Sequence, residues 1–452
     1  VVVQKFGGTS VADPDAIQRL INIVRQARSR DGRGPAVVVS AMSGVTDSLL
    51  GIAAAAGGGR VDDALSRIEQ LRERHLTVAA ALASNETKGA LGTQIIGQFD
   101  DLVALARALS VIREVSARSL DVVAAAGELL SSRIVAAALH EAGIPAEWVD
   151  ARRAVITNGD HTRAVPLAAE TGAALKSSVL AAIDAGRVPV LGGFVGSTVD
   201  GHTTTLGRGG SDYSAAIVGA GIGAREIQIW TDVDGMLTAD PRVIATPRLV
   251  PQLSFAEAAE LAYFGAKVLH PSTILPAVER NIPVRILNSR KADGAGTIIT
   301  AEPPPGSTPL TALACKRDVT VVDITSSRML MAYGFLRRVF EVFERYTTAV
   351  DVVTTSEVTV SVTVDDRRHL EAIVEALSEF SQVSVEHEMA LLCAVGDRLR
   401  NEPAIAARAV GVLEEVPLRM ISQAASRRNI TVILRQADLQ HAMNRLHEEF
   451  FG

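Results

Sequence analysis

Cysteine is scarce in this chain. Cys315 and Cys393 are its two thiols, neither belongs to a C-x-x-C pair or a histidine cluster, and neither a zinc site nor a disulfide framework is expected. That scarcity fits a reducing cytoplasm. Aromatic residues make up 4%, and 45 Lys plus Arg stand against 51 Asp plus Glu, giving a net charge of -6. Without a basic, aromatic-studded surface, nucleic acid is not an expected partner. Apolar stretches such as 120–126, which Asp121 interrupts, and 53–56 fall far below the ~18 residues of a membrane span, so no membrane helix is expected. The chain opens on Val1-Val2-Val3 with no basic leader, and no secretory signal is expected. What remains is a globular composition, 48% hydrophobic and 21% charged over 452 residues, enough for about three domains.

From residue 1 to about 300, short apolar runs alternate with amphipathic stretches. Residues 1–3, 36–40, 188–191, 227–231 and 284–286 read as buried strands. Residues 14–30 carry Ile17, Leu20, Ile21 and Val24 at helical spacing, and 211–218 read as a second helix. The alternation predicts an α/β catalytic domain over 1–301, with a largely parallel sheet and helices on both faces. Ligands of such sheets bind beyond the strand C-terminal ends.

Residues 302–309, Glu302-Pro303-Pro304-Pro305-Gly306-Ser307-Thr308-Pro309, break every periodic pattern, because stacked prolines supply no ladder donors and favour a stiff linker. A domain boundary is expected there. Beyond it come strand 318–325, helix 334–346, strands 350–355 and 358–364, helix 368–380 and strand 383–386. A second round follows: strand 389–395, helix 403–413, strands 418–422 and 430–434, helix 439–450. This is βαββα(β) twice, the ferredoxin-like pattern, with the last strand missing from the second copy. The run 310–315 would fill that gap and interleave the copies, the first spanning 310–388 and the second 389–452.

Lys5-Phe6-Gly7-Gly8-Thr9-Ser10 places a lysine at a strand exit, then two glycines and two hydroxyls. Glycines let backbone N–H groups approach anionic oxygens and the ammonium adds positive charge, so Lys5, Gly7 and Gly8 are candidates for cradling phosphate. An ordinary βα turn has the same composition. Three more glycine-rich exits follow: Ser40-Ala41-Met42-Ser43-Gly44-Val45-Thr46, Leu191-Gly192-Gly193-Phe194 and Thr205-Leu206-Gly207-Arg208-Gly209-Gly210-Ser211-Asp212. Four such loops exceed what turns require. In the last, Ser211 and Asp212 stand where a helix begins, and Arg208 offers a fork suited to a carboxylate, with a solvated loop arginine as the plainer alternative. Ile229-Trp230-Thr231-Asp232-Val233-Asp234-Gly235 adds an acidic turn, followed by Asp240-Pro241-Arg242. Phe264-Gly265-Ala266-Lys267-Val268-Leu269-His270-Pro271 adds a second lysine behind a glycine. His270 reads as packing or capping.

Gly219-Ala220-Gly221-Ile222-Gly223-Ala224 matches G-x-G-x-x-A, yet it closes a helix and precedes a strand, the reverse of a dinucleotide-binding context. No G-x-x-x-x-G-K-[ST], H-R-D or D-F-G occurs, so phosphate chemistry here would belong neither to P-loop enzymes nor to protein kinases.

Lys5 to Ser10, Thr205 to Asp212, Trp230 to Gly235 and Gly265 to Pro271 together resemble the aspartate kinase family, over the whole chain. The resemblance implies an amino acid kinase fold followed by two interleaved ACT domains of the lysine-sensitive, monofunctional type. It implies transfer of the γ-phosphoryl of ATP, carried with Mg²⁺, to the β-carboxylate of L-aspartate. No fused homoserine dehydrogenase is expected at this length. By the same resemblance Lys5 contacts the transferring phosphoryl and Asp212 organises the active-site lysine. Thr46, Glu128, Arg208 and Ser211 hold aspartate, with Glu128 receiving its ammonium and Arg208 its α-carboxylate. Thr231, Asp232, Arg242 and Lys267 join Lys5, Gly7 and Gly8 around the nucleotide, with no protein ligand assigned to the metal. Leu237 stands where relatives place a tyrosine. Apart from the resemblance, Glu128 reads as a solvated helix residue.

The chemistry needs no general base, because a substrate carboxyl with an ordinary pKa of about 3.9 arrives ionised. The obstacle is repulsion. A carboxylate ~4 Å from one phosphate charge costs about 4 kcal/mol at an effective dielectric of 20. Lysines, Mg²⁺ and backbone N–H groups must offset it.

In relatives an amino acid binds between ACT domains, often across a dimer. The matching positions are Met329, Gly334, Leu336, Asp351, Thr355, Ser356 and Glu357, with Asp351 the expected partner of an effector ammonium. Lysine is the expected effector, although Met331 and Ala332 stand where lysine-inhibited relatives often carry polar side chains. A homodimer or higher homo-oligomer through the ACT domains is the expected assembly. Met329 and Leu336 read equally as core residues. Two other readings stay open: a kinase of another acidic amino acid, and a non-catalytic amino-acid sensor. A sensor predicts loss of Lys5, Arg208 or Asp212, and all three are present.

Overall fold

The computed structural model describes residues 1–265, 269, 271–302, 310–326, 333–397, 399, 402–423 and 426–452. It divides into two compact units. The first comprises Val1–Met236, Pro251–Phe255 and Leu269–Glu302, and the second Leu237–Val250, Ala256–Val268 and Pro303–Gly452. The second unit thus takes two segments from the stretch 1–301, and residues 303–309 of the proline-rich stretch lie outside the described residues.

The strands of the first unit are β1 (Val2–Phe6), β2 (Ala36–Val39), β3 (Ala146–Trp148), β4 (Ile156–Thr157), β5 (Val188–Gly192) and β6 (Val195–Thr198). They continue with β7 (Thr203–Thr205), β8 (Glu226–Thr231), β9 (Gln252–Ser254), β10 (Val284–Asn288) and β11 (Thr297–Thr300). Eight form one sheet in the order β3-β5-β2-β1-β8-β10-β11-β9, and β4-β6-β7 form a small second one. Within the large sheet only the β10–β11 pairing is antiparallel. β1, β2 and β5 are buried throughout, as strands covered on both faces must be. The chain steps from β1 outward through β2 to β5 and later returns to lay β8 on the other side of β1. The crevice where the strand order reverses is where such sheets bind ligands.

Helix α1 (Pro14–Asp31) shows how local sequence sets its ends. Asp13 caps it by accepting from Ala16 N–H at 2.8 Å, proline opens it, and Gly32 at φ +67° closes it. Its Ile17, Leu20, Ile21 and Val24 are buried. α2 (Val45–Gly57), α3 (Val61–Leu82), α4 (Asn85–Ile112) and α5 (Ala117–Glu141) share its core, with Ile52, Ile68, Phe99 and Leu130 near the centre. α5 is long and apolar enough to cross a membrane by composition, which single runs within it do not reveal. It is instead a core helix, 83% buried over its most apolar window, with Asp121 and Glu128 on its inner face.

In the second unit, β12 (Ala312–Thr325), β13 (Val353–Thr355), β14 (Thr359–Val364), β15 (Gln382–Val395), β16 (Leu418–Ser422) and β17 (Asn429–Arg435) form one sheet in the order β13-β14-β12-β15-β17-β16. All its pairings are antiparallel. The separate strands expected at 310–315 and 318–325 are one strand, β12, and those at 383–386 and 389–395 are likewise one strand, β15. Register shifts near Lys316–Val319 and positive φ at Asp318 and Glu388 mark the places where the sequence pattern looked broken. Residues 312–316 pair with 391–395 over a core containing Leu313, Leu392 and Leu446. Residues 319–325 pair with 382–389 over a separate core containing Ile324, Val339 and Ile373. Two long strands therefore pass through both ferredoxin-like copies and interleave them.

Candidate active site

The exits of β1, β2 and β5 meet the N-terminus of the helix Gly210–Ile222 around a cavity of ≈ 560 Å³. Lys5, Gly8, Thr46, Glu128, Arg208, Ser211 and Asp212 all line it. Lys5, on β1, reaches Asp212 in the first turn of that helix, with Nζ 2.7 Å from Oδ1. The pair sets an ammonium in the wall with its countercharge behind it.

The four glycine-rich exits differ in their tasks. Gly7 donates its N–H to Trp230 C=O at 3.0 Å, so this amide is committed to β8 rather than offered to phosphate. A Cβ on Gly8 would stand 3.0 Å from Ala41 C=O, which presses the first loop against the second. A Cβ on Gly192 would meet Glu128 C=O at 2.8 Å, and one on Gly193 would meet Ser211 Cα at 2.8 Å. This glycine pair lets α5 and the helix Gly210–Ile222 close on the end of β5. Thr46 lies in the first turn of α2, and Arg208 is exposed on a lip between Gly207 and Gly209, at φ +77° and +72°.

Glu128 is not a solvated helix residue. It is 3% exposed, Oε2 has no hydrogen-bond partner among the described residues, and burial pushes its carboxyl up to about 8. Backbone groups of Ala41 and Glu128 itself and the Lys5 charge offset only part of that desolvation. Burial thus favours the neutral carboxyl in the empty cavity, and an incoming cation facing Oε2 would favour the ionised one. Asp121 lies on the same α5 face seven residues earlier and also lines the cavity. Sequence reasoning passed it over, although a spacing of seven places two side chains on one helix face.

Of the residues expected around a nucleotide, Thr231 and Asp232 stand at the C-terminal end of β8, beside β1, where Phe6 pairs with Trp230. They share this sheet edge but do not line the cavity. The neighbouring strand β10 and the turn after it supply partners of the acidic turn that sequence reasoning missed: Asn288 donates to Asp234 Oδ1 at 2.5 Å and Lys291 to Oδ2 at 2.8 Å. Lys291, then Asn288, hold the Asp234 carboxyl below its usual range. Arg242 belongs to the second unit, where its Nε donates to Asp240 at 3.0 Å. Lys267 lies outside the described residues.

Of the effector positions, Met329, like Met331 and Ala332, lies outside the described residues. Gly334, at φ +85°, caps the helix Phe335–Arg345, and Leu336 is 41% exposed rather than core. Thr355 ends the edge strand β13, and Ser356 and Glu357 are exposed beyond it. Asp351 is already satisfied by the chain itself. Tyr263 donates its hydroxyl to Oδ1 at 2.9 Å, and Lys316 Nζ sits 3.0 Å from Oδ2. Burial and this bond raise the Tyr263 phenol to about 12.

The chain matches the amino acid kinase family over residues 1–288 and an ACT domain over 392–450. It is 38% identical to Aspartokinase 3, chloroplastic, of Arabidopsis thaliana, over 99% of this chain and 81% of that protein. It is 35% identical to lysine-sensitive aspartokinase 3 of Escherichia coli, over 100% and 99% respectively. The crystal structure of E. coli aspartokinase III with aspartate and ADP (R-state) covers 100% of both chains, with a TM-score of 0.83 and 34% identity. The complex of the same enzyme with lysine and aspartate (T-state) gives 0.85, at the same identity and coverage.

Proposed function

The chain belongs to the aspartokinase family, and on that premise we propose which of its residues carry out the transfer of the γ-phosphoryl of ATP to the β-carboxylate of L-aspartate. The observation that supports the assignment is the convergence of Lys5, Asp212, Glu128 and Arg208 on one cavity. The substrate ammonium meets Glu128, whose carboxyl gives its proton to solvent and becomes the counterion. Arg208 takes the α-carboxylate in its fork, and the Thr46 and Ser211 hydroxyls donate to substrate oxygens. The β-carboxylate then faces Lys5. Its oxygen bonds to the γ-phosphorus as the bond from that phosphorus to the β–γ bridging oxygen breaks, leaving ADP and 4-phospho-L-aspartate. Lys5 stabilises the negative charge shared by both oxygens during transfer, and Asp212 holds the ammonium in place for it.

Thr231 and Asp232 serve the nucleotide, together with Gly7 and Gly8 as close-packed backbone and with Arg242 and Lys267. Among the described residues no group of three or more His, Cys, Asp or Glu side chains is placed to hold a metal ion. A Mg²⁺ would enter with the phosphate oxygens of the nucleotide and would there neutralise phosphate charge. Lysine binds at the ACT pair through Met329, Gly334, Leu336, Asp351, Thr355, Ser356 and Glu357 and inhibits. The catalytic domain is read as residues 1–301 and the ACT domains as 310–388 and 389–452, the latter pair mediating a homo-oligomer. Two free cysteines fit a cytoplasmic location. Trapping the acyl phosphate with hydroxylamine, in ATP and Mg²⁺ with aspartate, glutamate or acetylglutamate and with or without lysine, tests the reading. Aspartyl hydroxamate that lysine suppresses is expected, and product only from another acid would refute it.

A further inference from the structure

The cavity wall contains an acidic residue that the reaction above leaves without a task. Asp121 is wholly buried on α5, two helical turns before Glu128. Among the described residues Glu128 Oε2 has no hydrogen-bond partner, whereas both oxygens of Asp121 are engaged. Oδ1 accepts from the Thr205 hydroxyl at 2.5 Å and from Thr162 N–H at 3.0 Å, and Oδ2 lies 2.6 Å from His161 Nδ1. These partners underlie the Arg208 lip. Thr205 ends β7 three residues before Arg208, and a Cβ on Gly207 would approach Thr162 C=O to 3.2 Å. Ala164 N–H also donates to Thr205 C=O at 2.9 Å. Thr162 holds φ +70°, a costly conformation for a β-branched residue unless its surroundings impose it. The glycines flanking Arg208 lend the lip little stiffness of their own.

We propose that Asp121 is a positioning residue for substrate aspartate, clamping the His161-Thr162 turn to the end of β7 and so fixing the place of the Arg208 fork over the cavity. The inference rests on the assignment of Arg208 to the α-carboxylate. One rigid helix then governs both ends of the substrate: it carries Glu128 for the ammonium and anchors the lip for the carboxylate. A buried anchor on a regular element holds such geometry better than a loop does.

Steady-state kinetics of Asp121→Ala test this, with a thermal melt to establish folding. The aspartate KM is expected to rise about tenfold or more while the ATP KM stays within about twofold. Asp121→Asn keeps an acceptor for Thr162 N–H and the Thr205 hydroxyl and is expected to recover most of the affinity. Thr205→Val is expected to give a smaller rise that Thr205→Ser reverses. A folded Asp121→Ala protein with unchanged aspartate KM, or with both KM values raised alike, overturns the proposal. Should Asp121→Ala not fold, Thr205→Val decides by the same two results. Arg208→Ala separates the underlying reading: if it leaves the aspartate KM unchanged, both fall, and if it raises KM while Asp121→Ala does not, only the clamp falls.

Discussion

Each unit buries a lysine against an aspartate, and the two pairs stand in opposite conditions. Lys5 and Asp212 meet at 2.7 Å in the wall of an open cavity, beside Glu128, whose Oε2 has no hydrogen-bond partner among the described residues. Lys316 and Asp351 meet at 3.0 Å with the Tyr263 hydroxyl completing the carboxylate, whose side chain is 5% exposed. The catalytic unit therefore has bonding capacity in reserve, and a substrate adds bonds there. The proposed effector carboxylate is already bonded within the chain, so an ammonium arriving at Asp351 would have to exchange with the Lys316 ammonium. Capacity in reserve suits catalysis, where groups must be set before charge develops. Exchange suits regulation, where a ligand acts only through its difference in affinity between two states.

The sharpest way to break the first half of this contrast is Lys5→Ala. Turnover is expected to fall about a thousandfold with a much smaller change in ATP KM, because the lysine's partner charge grows during transfer. Near-normal kcat in steady-state assays would remove Lys5 from the transfer step. Next in size, Glu128→Gln is expected to raise the aspartate KM by about a hundredfold, as a carboxylate facing a buried ammonium is lost. The free-enzyme carboxyl titrates at about 8, and the ammonium needs the ionised form. In the native protein kcat/KM for aspartate should therefore fall about tenfold per pH unit below about 8. Glu128→Gln should flatten that profile, and a profile unchanged by the substitution would deny Glu128 its role.

The second half of the contrast is tested by Lys316→Met. Removing the resident ammonium leaves Asp351 with a charge to satisfy, and the lysine concentration giving half inhibition is expected to drop several-fold. An unaltered inhibition curve would mean that no exchange takes place there. The smallest expected effect concerns stability. Because the folded-state pKa of Glu128 is raised from 4.5 to about 8, the native chain binds more protons than the unfolded one between those values. Its contribution is complete below about 4.5 and is lost as pH rises toward 8, by at most about 1.4 kcal/mol per unit. Tm measured across this window should decline less in Glu128→Gln by a few degrees, and identical declines would contradict the buried carboxyl.

Much of the site was legible because its residues follow strand exits. Lys5, Gly8 and Thr46 stand at or after the ends of the parallel strands β1 and β2, which meet at one edge. Arg208, Ser211 and Asp212 instead follow β7 of the small sheet and sit in a glycine-rich turn and the helix start after it. Glu128 escaped the reading of residues alone, because a glutamate in an alanine-rich helix carries no mark of whether its face is covered. β12 and β15 looked like four strands because Arg317-Asp318 and His387-Glu388 interrupt the apolar pattern, whereas pairing carries each strand through its irregularity. Leu336 looked like core by its type and is exposed. The acidic turn after β8 was the least legible, since Asn288 at the end of β10 and Lys291 just beyond it reach Asp234 from more than fifty residues away in sequence.

By itself the sequence determined the alternation of strands and helices, the doubled ferredoxin-like pattern and the positions of the charged loops. These depend on periodicity and on glycine and proline chemistry, which act over a few neighbouring residues. Only the tertiary structure decided which charges are met and which are left waiting. That outcome depends on desolvation and on partners distant along the chain, as when Thr205 reaches Asp121 across 84 positions and Ser10 meets Ser289 across 279.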